Sequence, residues 1–227
     1  MFFYDSTYIL VIIGIIITMI ASSNVNHTFN KYKKIKSTKN ITGLDAAKYI
    51  LRSKGYDDIS IKRTGGSLSD YYNPIKKQIA LSDSTINDDS VAAIAVASHE
   101  CGHVIQYKEG YVPLKIKSFI VPVVNLSSRL SFPMILIGIL LSYNQTLIDF
   151  GIVLFSFVLI FQIVTLPVEF NASKRALRVL KDSYMLNETE LTYAKEVLHA
   201  AALTYVAAVL ATSLQFLRLI LLFGRRD

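Results

Sequence analysis

Apolar positions crowd into four stretches of this chain, and the segments between them carry short, mixed patterns. The first stretch runs from Ser6 to Ala21, where only small hydroxyl and tyrosine side chains interrupt the apolar residues. It is short for a bilayer core of about 30 Å, and Phe2 and Phe3 would complete it. The second runs from Ile116 to Tyr143 and is broken by Pro122, Asn125, Arg129 and Pro133. That predicts an oblique or kinked entry before the clean segment Met134–Leu141. A turn at Asn144–Thr146 leads into the third, Leu147–Pro167, with Asp149 near its outer end, so these two form a helical hairpin. The fourth, about Ala200 to Phe223, is interrupted by Thr, Ser, Gln215 and Arg218 and reads as a further span.

Between the spans the patterns are those of a small folded module. Thr42 with Asp45 at the third position after it predicts a helix start, and Gly55 a stop after about Lys54. Ile59–Arg63 and Lys77–Leu81 read as strands, separated by a Gly65-Gly66 turn and an Asn73-Pro74 turn. Asn187 with Glu190 marks the start of a helix running through Glu196 into the fourth apolar stretch.

Composition sharpens this reading. A chain of 227 residues with 52% hydrophobic content is too apolar for an ordinary soluble domain. The net charge of +7 sits beside the spans and lacks an aromatic-interleaved basic groove, so it fits a lipid surface and excludes nucleic acid as partner. The basic run Lys31-Tyr-Lys-Lys-Ile-Lys36 follows the first apolar stretch, whereas a cleaved signal peptide has its basic residues in front. The first stretch is therefore expected to be an uncleaved anchor with its N-terminus outside and residues from about 24 to 115 in the cytoplasm. Gly224-Arg-Arg-Asp227 would then lie outside, a mild offence to the same rule. Few polar residues fall within the spans beyond Arg129, Gln162 and Arg218, which disfavours a transporter or channel.

The chemistry is concentrated in His99-Glu100-Cys101-Gly102-His103. Histidines four apart on a helix lie one turn above each other, so both imidazoles can bind one metal ion. Glu100 is turned about 100° from His99, beside the ion, where it can reach a bound water and act as general base. Cys101, the single cysteine, lies about 160° from His103, which argues for a packed thiol and against a nucleophile. His27 has no partner in sequence, and His199 and Tyr205 read first as structural residues.

A catalytic zinc of this kind needs a third protein ligand and an open position. Glu169 follows Pro167, which can open the next helix, and two crossings between His103 and Glu169 return both to one membrane face. On spacing alone, a solvated carboxylate paired with Lys174 or Arg175 serves as well.

Beyond the motif, Leu44–Leu51 with Gly55, Gly66–Pro74, Leu81-Ser82, Val91–Ala97, Val121-Pro122, Ser128–Leu130, Pro167–Phe170 and Ala200–Val206 carry a wider similarity. Over most of its length the chain resembles the YugP-type membrane neutral zinc metallopeptidases of bacteria, and more distantly the membrane heat-shock and prenyl-protein-type metallopeptidases. The resemblance implies one zinc ion held by His99, His103 and Glu169, with Glu100 as catalytic base. Family members usually carry Asp where this chain has Asn73 and Asn171. Asn171 lies two residues after Glu169, where a carboxylate could orient a zinc-bound histidine, although Ser173 shares the face of Glu169 better.

The expected architecture is a mainly α integral membrane protein with about four transmembrane helices and a small α+β zincin-like catalytic module holding a short sheet and the HExxH helix. Its parts are an N-terminal anchor (1–23), the catalytic module (24–115), a transmembrane hairpin (116–167), the third-ligand helix and cytoplasmic segment (168–199), and a C-terminal transmembrane helix and tail (200–227). The expected function is a zinc metalloendopeptidase of the cytoplasmic membrane, its site facing the cytoplasm, cleaving protein or peptide substrates that include membrane-associated ones. An edge strand, with Tyr71-Tyr72 or Lys76–Leu81 as candidates, would align an extended peptide. The alternative is a non-catalytic membrane protein whose zinc is structural or sensing.

Overall fold

The structure is a computed structural model that describes residues 5–224. Phe2 and Phe3, and the tail from Arg225 to Asp227, lie outside the described residues. Nine elements follow in order: α1 (Tyr8–Lys33), α2 (Gly43–Ser53), β1 (Ser60–Thr64), β2 (Tyr71–Asn73), β3 (Gln78–Ser82), α3 (Val91–Lys108), α4 (Val112–Leu140), α5 (Gln145–Asp182) and α6 (Glu188–Phe223). Helices α1, α4, α5 and α6 are long and apolar enough to cross a membrane. Two compact units result. One comprises the chain up to Ser22, Val112–Pro167 and the chain from Thr204; the other comprises Ser23–Tyr111 and Val168–Leu203.

The first unit is helical. Its hairpin, α4 with the first part of α5, is drawn close by glycines: Ser131 donates to the Gly151 carbonyl at 2.9 Å, and a side chain at Gly138 would meet Ile148. Ile135, Phe155 and Leu219 form a small buried cluster. Most other large apolar side chains of this unit point outward, Phe119 at 82% exposure and Leu140 at 73% among them. That is the distribution expected where lipid is the solvent. α4 runs through both Pro122 and Pro133, and it starts at Val112, before the expected Ile116.

The second unit is the folded module. Thr42 and Asp45 form the reciprocal cap of α2, and Gly55, at φ +69°, follows its end. The sheet has the order β1-β3-β2, with β1 parallel and β2 antiparallel to β3. β3 is therefore central, so of the two expected substrate edges Lys76–Leu81 is withdrawn and Tyr71-Tyr72, on β2, remains. β2 is too short at three residues to show a period, which is why alternation did not reveal it.

Two helices extend further than their patterns suggested. α1 continues to Lys33 past the end of its apolar run, because Phe29 and Tyr32 are buried and Tyr32 stacks on Tyr193 with ring centroids 4.8 Å apart. α5 passes through Pro167, so proline does not open a separate helix there. A proline in a helix interior removes one backbone donor, a defect that packing on either side can absorb. At the start of α6, Asn187 and Glu190 exchange hydrogen bonds of 2.8 and 2.9 Å, closing the expected cap.

Candidate metal centre

α3 begins at Ser90, whose hydroxyl accepts from the Ala93 amide at 3.2 Å. It is buried on nearly every side, from Val91 through Gln106, and so lacks the one-sided stripe of a surface helix. Its close neighbour is the second part of α5. A side chain at Gly102 would collide with the backbone carbonyl of Ala172. Glycine there lets the two helices meet backbone to side, which brings His99 and His103 against Glu169.

His99 Nε2 and His103 Nε2 each lie 3.4 Å from Glu169 Oε2. One donor atom from each of the three residues lies within 4.8 Å of the others, and the group can hold a metal ion. With zinc bonds of about 2.0–2.1 Å, ligand atoms at neighbouring corners of a tetrahedron are about 3.3 Å apart. Two imidazoles and a carboxylate at this spacing fit zinc. The rings stand edge to face, 86° apart, so the two nitrogens converge from different directions.

The Nδ1 atoms show how the rings are aimed. His103 Nδ1 faces Gln106 Oε1 at 3.0 Å, and His99 Nδ1 faces the Ser173 hydroxyl at 3.1 Å. Ser173, expected on the face of Glu169, therefore touches a histidine. Asn171 touches neither; it accepts from Gln106 Nε2 at 3.0 Å and from Arg175 Nε at 2.7 Å. Gln106 was not singled out by the sequence, though its place three residues after His103 on a helix was the available signal.

Glu100 sits on α3 beside these groups and is 6% exposed. Burial pushes its carboxyl above the usual carboxylate range, with His103 and His99 pulling against that shift and Asp70 and Glu169 adding to it. Among the described residues its carboxylate takes no hydrogen bond. Burial alone would lower the His103 imidazole, but its contact with Glu169 and the charge of Glu100 outweigh that and raise it. The Cys101 thiol is fully buried, donates to the Ala47 carbonyl at 3.8 Å, and is pushed well above the ordinary thiol range by burial. That is a packed thiol. His27 and His199 are exposed on α1 and α6 and are not part of the group.

Comparison with known sequences bears on this arrangement directly. The family described as "Putative neutral zinc metallopeptidase" matches residues 7–224. The chain belongs to this family. The Bacillus subtilis (strain 168) protein named "Putative membrane protease YugP" is 39% identical over 203 residues, covering 89% of this chain and 90% of that protein. No solved structure matches. Family membership, four apolar helices and a three-residue group able to hold a metal thus describe a membrane protein of a zinc peptidase family.

Proposed function

We propose that the chain is a membrane-embedded zinc endopeptidase in which His99, His103 and Glu169 hold the ion and Glu100 is the general base. The observation that carries this reading is the pair of equal 3.4 Å separations from both imidazoles to one Glu169 oxygen, with a buried carboxyl from the same helix beside them. When bound, zinc supplies Lewis acidity that makes water a nucleophile near neutral pH and polarises a carbonyl.

The chain's own residues do the rest. Glu100 takes a proton from water as its oxygen adds to the scissile carbonyl carbon, and returns that proton to the amide nitrogen as the C–N bond breaks. A structural zinc has no use for such a carboxylate, which favours hydrolysis over a structural or sensing role.

The fold surrounding this site fits a zincin-like module. β2 is an edge strand packed on α3, with Tyr72 edge-on to Tyr107 at 6.1 Å, so an extended peptide can add to it as a further strand. Substrates are then unfolded or extended segments, including membrane-associated ones. The basic run from Lys31 to Lys36 belongs to the same unit as the site, which supports a cytoplasmic-facing site in the cell membrane.

The test is zinc content and cleavage of an unstructured protein by detergent-purified wild type and Glu100→Gln. Zinc in both, with chelator-sensitive cleavage only in wild type and a loss of about 10²- to 10⁴-fold in the variant, is the expected result. Equal cleavage by both removes Glu100 from the mechanism; zinc without cleavage in either supports the structural or sensing role.

A further inference from the structure

Gln106 is fully buried on α3, and its amide faces three groups at once. Its Nε2 donates to the Val168 carbonyl at 2.7 Å and to Asn171 Oδ1 at 3.0 Å, while its Oε1 faces His103 Nδ1. A backbone carbonyl can only accept, so the nitrogen must face Val168 and the oxygen must face the imidazole. An amide oxygen also can only accept, so His103 must carry its proton on Nδ1. Its Nε2 is the nitrogen that faces Glu169.

The orientation of Asn171 is fixed in the same way. Its Oδ1 receives both Gln106 Nε2 and Arg175 Nε, two groups that only donate. Arg175 is in turn held by an ion pair with Glu109. Glu109, Arg175, Asn171, Gln106 and His103 form one directed chain from the surface of the module to the metal group. His99 lacks this constraint, because the Ser173 hydroxyl can donate or accept.

We propose that Gln106 is a positioning residue, oriented by Val168, Asn171 and Arg175, that sets His103 in its metal-binding tautomer before any ion arrives. The consequence for zinc rests on the function proposed above; the tautomer does not. The chain also gives Asn171 a defined task. It must present an acceptor to two donors, which an aspartate does equally well and an apolar residue cannot.

The experiment uses the full chain in detergent, with zinc affinity measured by chelator competition and the tautomer of ¹⁵N-labelled neutral histidine read by NMR in the metal-free protein. Wild type should show His103 protonated at Nδ1. In Gln106→Leu that resonance should shift toward the Nε2-protonated form, and zinc affinity should fall about 10- to 100-fold. Asn171→Leu should weaken zinc in the same direction and Asn171→Asp should restore it. A purely packing role predicts lower melting temperatures with tautomer and zinc affinity unchanged, and that result overturns the proposal. If Gln106→Leu does not fold, the Asn171→Leu and Asn171→Asp pair decides: equal tautomer populations and affinities in the two refute the chain. Zinc failing to bind wild type would sink the peptidase reading, while the His103 tautomer would still confirm or refute the positioning role.

Discussion

The two units use hydrophobic side chains in opposite ways. In the module that carries His99, His103 and Glu169, Ile94, Leu81 and Leu180 are wholly buried, and buried polar side chains such as Gln106 and Glu190 are hydrogen-bonded. In the helical unit the large apolar residues mostly face outward; Ile135, Phe155 and Leu219 form a small enclosed cluster, and Val124 and Ile148 are buried as well. The module can be stabilised by removing apolar surface from water, whereas the helical unit rests on close helix contacts and on lipid. Glycine marks both, but at Gly102 close approach to Ala172 lies beside His99, His103 and Glu169, and at Gly138 it packs a hairpin.

That contrast can be tested by truncation. Ile94→Ala should cost about 2–5 kcal/mol of stability in thermal or denaturant unfolding, as for a fully buried aliphatic residue. Ile137→Ala, on the outward face of α4, should stay within about 0.5 kcal/mol. Comparable losses at both positions would mean that the outward face of α4 is covered by protein.

Gly102→Ala should come next, at about 1–3 kcal/mol, because the new methyl group meets a backbone carbonyl that cannot swing away. Zinc binding should weaken with it. Gly138→Ala should lower stability by a similar amount and leave zinc affinity unchanged, which separates assembling ligands from packing a hairpin.

Smaller still is the cap of α2. Thr42→Ala should lose about 1 kcal/mol, measured by denaturant midpoint, since it removes the acceptor of the Asp45 amide. The smallest effect belongs to Asp58, whose hydrogen bonds and ion pairs with Lys108 and Lys77 lower its pKa to about 2. A lowered carboxylate pKa stabilises the folded state above the unfolded value near 4, and that contribution fades as pH falls toward about 2. Asp58→Asn should therefore melt slightly lower than wild type at pH 6 and equally at pH 2.

How far the sequence revealed this arrangement depended on the range of the interaction. The caps at Thr42 and Asn187 were legible because both partners lie within one helical turn. The four long helices were legible from apolar length alone, and His99, Glu100 and His103 from their spacing on one helix. Sheet order was not, because the pairing of β1 with β3 across an intervening β2 is set by tertiary contact. The reach of α1 to Lys33 was hidden for the same reason: Phe29 and Tyr32 acquire their burial from α6 and the module around them. Gln106 escaped notice because its meaning lies in Val168 and Asn171, more than sixty residues away.

X-ray absorption at the zinc edge of the reconstituted wild-type protein tests the central claim most directly. The account predicts two imidazoles and only oxygen or nitrogen neighbours at about 2.0–2.2 Å, with one imidazole lost in His103→Ala and no sulfur. A sulfur neighbour at about 2.3 Å, or an unchanged spectrum in His103→Ala, would place the ion elsewhere and contradict it.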